Sequence, residues 1–312
     1  MSERILVVGE ALVDIVHRSN GQIETHPGGS PLNVAVGLAR LGHPVHYATR
    51  FGHDPHGEII REHLAREGNL RLTPGSDTAS ATSTAVATLD ENGAASYDFD
   101  ITWDIADALD SQPVGHLHVG SIGATLAPGA QAVLAAARAA HASGTVSYDP
   151  NARPSLMGDP VTTRAQVEEL IAVCDVVKAS DEDIAWLYDG QDIEPVMSRW
   201  ADLGAALVVI TRGKDDTHVL LGSDRSRESV PSAPANVIDT VGAGDSFMAG
   251  LLSGLLDLGF LGGPAQRQSL RTATLAQLQP ALQRAVGCAA ITVARAGANP
   301  PHRKELVEGI GR

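Results

Sequence analysis

The stretch "VIDTVGAGDSFMAGLL", residues 237–252, holds the densest chemistry in the chain: Gly242, Ala243 and Gly244, a carboxylate at Asp245, then an apolar run. The pattern predicts a strand ending near Asp239, a tight turn, and a helix beginning at the glycines. The first amides of such a helix have no internal partner, and glycine lets a ligand approach the backbone closely. That combination makes a seat for a phosphoryl anion. Asp245 in the first turn has two readings. It is either a charge that complements the helix dipole, or a base that takes a proton from a hydroxyl held beside the anion seat. Base and seat side by side are what phosphoryl transfer to an alcohol requires.

A second cluster lies near the N-terminus. Asp14 follows the first strand-like run, and "GGSPLN", residues 28–33, sets Gly28, Gly29 and Asn33 around another helix start. Asp accepts hydrogen bonds and Asn both gives and accepts them, so the two suit vicinal hydroxyls. Taken alone they also read as a loop acid and a simple turn. Marks of other chemistries are absent: there is no G-x-x-x-x-G-K-[ST] loop, no H-E-x-x-H helix and no cysteine zinc framework. Phe247 stands where a dinucleotide fingerprint needs its third glycine.

The elements that must position these groups alternate along the chain. "ILVVG", "PVHYAT", "HLHVGS", "TVSYD", "DVVKAS" and "ALVVIT" are short, β-branched and too apolar for exposed strands, which predicts a parallel sheet covered on both faces. Helices between them have readable ends: Ser30 as N-cap, Pro31 and a stop at Gly42; then Asp54, Pro55 and a stop at Gly68. The fold class is α/β, a doubly wound core. Two segments break the rhythm. Residues 11–27, with a turn at Asn20-Gly21, and residues 83–103, with a turn near Glu91-Asn92-Gly93, read as paired strands of a small antiparallel sheet that closes over a ligand.

Composition narrows the partners. Forty-three per cent apolar and 4% aromatic residues describe an ordinary globular chain, and 312 residues suffice for one large α/β domain with an elaboration or for two modest domains, which length alone does not separate. The formal net charge of −14 argues against nucleic-acid or membrane-surface binding. An anionic nucleotide therefore needs local positive potential from helix-end amides, a metal, or candidates Arg153, Lys178, Arg212 and Lys214. Cys174 and Cys288 lie in apolar contexts and read as reduced core thiols. The N-terminal residues show no basic region followed by a long apolar core, so the expected location is cytoplasmic.

"GGSPLNVAVGLARLG" and the later "DTVGAGDSFMAGLL", in this order, closely resemble the two signatures of the PfkB, or ribokinase-like, carbohydrate kinases. The similarity runs from "ILVVGEALVDIV" to "AGANPP". It implies one kinase domain over residues 1–312, a ribokinase-like three-layer α/β/α sandwich with a mostly parallel central sheet and a small β-sheet lid. It also implies phosphorylation of a sugar hydroxymethyl group by ATP with Mg2+. By that resemblance Asp245 is the base, Gly242 to Gly244 are the anion hole, and Asp14, Gly28, Gly29 and Asn33 meet the sugar. "KASDEDIAWLY" resembles the segment where Lys178 and Ser180 lie near the nucleotide and Glu182 orders magnesium through water; its bland reading is an acidic helix N-terminus. "ITRGKDD" resembles a nucleotide loop formed by Thr211, Arg212 and Gly213, and otherwise reads as a charged hairpin turn. Asp239 falls where the family often holds a monovalent cation, such as K+.

The acceptor is narrowed by "SYDPNARPSL", which resembles the D-x-N-x-R-P segment of fructokinases and 2-keto-3-deoxygluconate kinases, with Arg153 as a substrate contact. A fructokinase is the expected activity. The alternatives are a 2-keto-3-deoxygluconate kinase, then a ribokinase or nucleoside kinase, and, in a different class, a noncatalytic sugar-binding protein. Phe99 and Trp103 on the lid either stack on the sugar or pack lid against core. The lid also suggests a homodimer.

Overall fold

The computed structural model describes residues 4–17, 21–89, 95–110 and 112–309. All six apolar runs are strands of one sheet. Its parallel part comprises β1 (Ile5–Val8), β4 (Val45–Ala48), β5 (Leu70–Leu72), β8 (His116–Gly120), β9 (Thr145–Asp149), β10 (Val176–Ser180) and β11 (Leu207–Arg212). β12 (Asp215–Leu221) and β13 (Arg227–Val230) extend it antiparallel, giving the order β13-β12-β11-β10-β9-β8-β1-β4-β5. Successive residues of β1 enter different cores, Ile5 and Val7 on one face and Leu6 and Val8 on the other, as a strand covered on both sides must.

Helices form the outer layers. One face is covered by α1 (Ser30–Arg40), α2 (Pro55–Ala65), α8 (Ala243–Asp257) and α10 (Leu275–Val293). The other carries α3 (Gly129–Ser143), α5 (Pro160–Ile171), α6 (Asp181–Leu187) and α7 (Ile193–Leu203). Between these lie the short α4 (Pro154–Met157) and α9 (Pro264–Arg271), and α11 (Arg303–Gly309) closes the described chain.

Helix α8 is buried from Asp245 through Leu255, so it is apolar all round rather than striped. Small residues let its neighbours close in: a Cβ on Gly254 would stand 2.4 Å from Ala281 Cα of α10. Sandwiched this way, α8 is a rigid post for its first turn.

The lid is a second sheet, ordered β3-β2-β6-β7, from β2 (Leu12–His17), β3 (Ile23–Gly28), β6 (Thr84–Leu89) and β7 (Ala95–Asp100). It is mixed rather than antiparallel. Each hairpin is antiparallel internally, but the two lie side by side with β2 and β6 parallel, because the chain between them crosses the body. The turns at Asn20 and at Glu91 to Gly93 lie outside the described residues.

Two local expectations are corrected. Residues 237–239 form no strand; Ile238 N and Asp239 N instead bond Val293 O at the end of α10, and the Val237, Ile238 and Val241 side chains are exposed. Ser30 is the first helical residue and not the N-cap, which is Gly29 at φ 113°, leaving the Ser30 hydroxyl free for another bond. Asp54 does cap α2, accepting from Gly57 N at 2.8 Å.

Candidate active site

A cavity of about 890 Å³ lies between the lid and the C-terminal ends of the parallel strands, where doubly wound folds hold ligands. The first turn of α8 enters it. Gly242 precedes the helix at φ 73°, a left-handed conformation that glycine adopts without strain. Ala243 N–H is engaged by Thr240 O at 3.2 Å, whereas the amides of Gly242 and Gly244 have no hydrogen-bond partner among the described residues. The expected anion seat thus narrows to those two, with Ala243 shaping the turn.

Asp245 is buried on the cavity wall, and both oxygens are held: Ser30 Oγ donates to Oδ1 at 2.6 Å and Asn33 Nδ2 to Oδ2 at 2.8 Å. Asn33, expected at the sugar, therefore also aims Asp245. Ser30 and Asn33 lie three residues apart on one face of α1, so a single helix presents both donors. Gly29 is on the wall as expected; a Cβ there would meet Glu10 O at 2.4 Å.

From the lid, Asp14 of β2 and Phe99 of β7 reach the cavity. Burial pushes the Asp14 carboxyl above its ordinary range, with His26 and Arg153 pulling the other way. Gly28 is not on the wall. It gives Asp14 room instead, since a Cβ on Gly28 would lie 2.1 Å from Asp14 Oδ2. Trp103 is also absent from the wall: its ring is buried under Gly129 and Nε1 donates to Gly123 O at 2.9 Å, so it anchors the chain just past the lid in the body of the molecule. Arg153 lines the cavity with Nη1 bonded back to Asn151 and Ala152 of its own loop.

At the other end, Lys178, Ser180, Glu182, Thr211 and Gly213 share the wall. Ser180 caps α6 in a capping box with Asp183, so the bland reading of "SDED" holds alongside any ligand role. Gly213 and Lys214 form the turn of the β11–β12 hairpin. Arg212 is off the wall, its Nη1 3.2 Å from His218 Nε2, next to an irregularity in the β11–β12 register between Ile210 and Arg212. Asp239 is off the wall too. It accepts from Val241 N at 3.0 Å in its own loop and from Gly297 N at 2.8 Å, which ties that loop to the one after α10, and these bonds hold its carboxyl below the usual range.

Several wall residues had no place in the sequence reading as ligands. Ser30 reads in the sequence as a cap. Glu10 is buried at the foot of the cavity, accepts from Gly123 N at 3.1 Å, and is pushed up to about 7 by burial. Ser121 and Asn151, with φ of 58° and 39°, also line it. All follow the last apolar residue of a parallel strand or begin a helix, the signal that would have found them. An apolar slot of Val237, Val241, Val286, Ala289 and Val293 completes the wall.

Residues 2–305 match the pfkB family of carbohydrate kinases, and the chain belongs to that family of phosphotransferases acting on sugar hydroxyls. The fructokinase of Klebsiella pneumoniae is 34% identical, covering 99% of this chain and 100% of the relative. The fructokinase of Escherichia coli is 32% identical over 98% and 99% of the two chains. Among solved structures, a double mutant of the Vibrio cholerae O395 fructokinase, with fructose, ADP and a potassium ion bound, superposes with a TM-score of 0.79 at 30% identity, covering 98% of this chain and 97% of that one. The Xylella fastidiosa fructokinase with bound ATP gives a TM-score of 0.83 at 25% identity and 100% coverage of both. The fold is the ribokinase-like sandwich with its lid.

Proposed function

We propose that the chain is a fructokinase that transfers the γ-phosphoryl group of MgATP to a hydroxymethyl group of fructose, with Asp245 as the base. The observation that carries this reading is the Asp245 carboxylate, held by Ser30 and Asn33 beside the open amides of Gly242 and Gly244 in one cavity. The sugar lies between Asp14, Gly29, Asn33, Phe99 and Arg153, placing one hydroxyl against Asp245. As its oxygen attacks phosphorus and the bond to the ADP oxygen breaks, the proton passes to Asp245, while Gly242 and Gly244 N–H groups stabilise the equatorial oxygens. Lys178, Ser180, Thr211 and Gly213 face the nucleotide, and lid closure excludes the water that would compete with the sugar.

Magnesium fits this site. Among the described residues no three His, Cys, Asp or Glu side chains cluster into a metal cage, and magnesium with a nucleotide needs only one or two carboxylates, phosphates and water. Glu182 is exposed on the wall, its carboxylate without a hydrogen bond among the described residues, and would hold the ion through water. Bound there, the ion would neutralise phosphate charge. Potassium would be held by backbone carbonyls of the two loops that Asp239 ties together.

We read residues 1–312 as one kinase domain with its lid, and the open edges β3 and β7, with exposed Ile23, as supporting a homodimer. Sedimentation equilibrium tests this. Two free, buried cysteines suit a reducing, cytoplasmic setting; among the described residues no helix is long and apolar enough to cross a membrane. Coupled ADP release over fructose, ribose, 2-keto-3-deoxygluconate, tagatose and adenosine tests the function. Fructose should give the highest kcat/KM; another acceptor in first place would move the reading to that kinase, and no turnover would favour a sugar-binding protein.

A further inference from the structure

Beside the first turn of α8 lies a buried ion pair whose lysine end reaches the cavity wall. Lys178 of β10 and Asp149 of the adjacent β9 meet at 2.8 Å, Nζ to Oδ2, both buried. Asp149 Oδ1 is also buried and has no partner among the described residues. Nζ lies close to the turn, since a Cβ on Gly244 would stand 3.1 Å from it. A buried pair is weak evidence for stability, because desolvating two charges consumes most of what their attraction returns. An ammonium alone at such a place would give up its proton. What the pair does supply is an ammonium held in one place beside Gly244.

We infer that Asp149 is a positioning residue: it keeps the Lys178 ammonium charged and aimed at the phosphoryl group being transferred over Gly242 and Gly244. The inference rests on the kinase reading and adds to it the group that governs the charge. Four titratable groups face Nζ: Asp149 on β9, Asp183 on α6, Asp245 on α8 and His118 on β8. Burial lowers the Lys178 pKa, and the carboxylates, Asp149 foremost, more than offset it, leaving it above the ordinary lysine value. Without the Asp149 charge, burial should take over and bring deprotonation toward neutral pH.

The test is Asp149→Asn, whose amide keeps the shape and a hydrogen-bond acceptor but not the charge. Its kcat at about pH 7.5 should fall at least about tenfold while the KM for sugar stays within about twofold, and the kcat profile should gain a falling alkaline limb between about pH 7 and 9 that the parent lacks. Adding Lys178→Arg, whose guanidinium does not deprotonate, should remove that limb. A kcat within about twofold of the parent, an equal loss at every pH, or a parallel rise in sugar KM would overturn the inference. If Asp149→Asn does not fold, Lys178→Met decides: parental kcat overturns the inference, and a loss of at least about tenfold with preserved sugar KM supports it. A parent active on sugar with an unaffected Asp149→Asn sinks this inference alone; a parent inactive on every acceptor sinks the kinase reading beneath it.

Discussion

Replacing Ser30 by alanine tests whether the aim of Asp245 matters as much as its presence. In the structure Ser30 Oγ holds Oδ1 at 2.6 Å, Asn33 holds Oδ2, and Ser30 is itself buried, so no bulk water takes over the lost bond. A hydrogen bond to a charged group is worth about 1.5–3 kcal/mol. If that energy serves to hold the base in line, its loss slows kcat by about 10- to 150-fold. A misaim of about 1 Å at a reacting group costs about 100-fold, within this range. Steady-state ADP release gives kcat and KM for Ser30→Ala, with circular dichroism to confirm folding. The same change made on Asp245→Asn should cost far less, because the two residues act as one unit. A kcat for Ser30→Ala within about twofold of the parent, or full additivity in the cycle, would refute the reasoning.

Glu10 predicts a pH dependence of stability. Its folded pKa of about 7 lies above the ordinary carboxyl value of 4.5, so the contribution is fully present below 4.5 and is lost as pH rises through 7. The shift corresponds to about 3 kcal/mol, so the stability difference between parent and Glu10→Gln in urea melts should change by about that much from pH 4.5 to 8; a constant difference would contradict the burial argument. Trp103→Phe should lower the melting temperature through the lost bond to Gly123 O, about 1–3 kcal/mol, and leave the sugar KM within about threefold, whereas Phe99→Ala should raise that KM more; the reverse would return Trp103 to the sugar. Glu182→Gln should raise the magnesium concentration for half-maximal turnover at least about threefold, with chelation abolishing turnover in both proteins, and an unchanged magnesium titration would remove Glu182 from that role.

The sheet was legible because "ILVVG", "TVSYD" and "ALVVIT" are apolar on both faces, which only a covered parallel strand tolerates. The lid pairing was not. Alternation announces a strand, but whether β2 meets β6 parallel or antiparallel depends on how the chain crosses the body between them. At the site, Asp245 and the glycines stood out because glycine and acid at a helix start carry local meaning. Ser30 also looked like a cap, and local chemistry favoured that reading; a carboxylate 215 residues away claimed its hydroxyl instead. For Trp103 the sequence left stacking and packing open, and burial decides for packing; for Arg212 residue type suggested a nucleotide contact, but its side chain meets His218 away from the cavity.

The central claim is that Asp245 takes the proton of a sugar hydroxyl beside the anion seat. Asp245→Asn keeps the size and the ability to bond Ser30 but cannot act as base at neutral pH. With fructose and MgATP, kcat should fall by about 1,000-fold or more while calorimetry shows fructose binding within about threefold of the parent; near-parental turnover with binding intact would contradict the account.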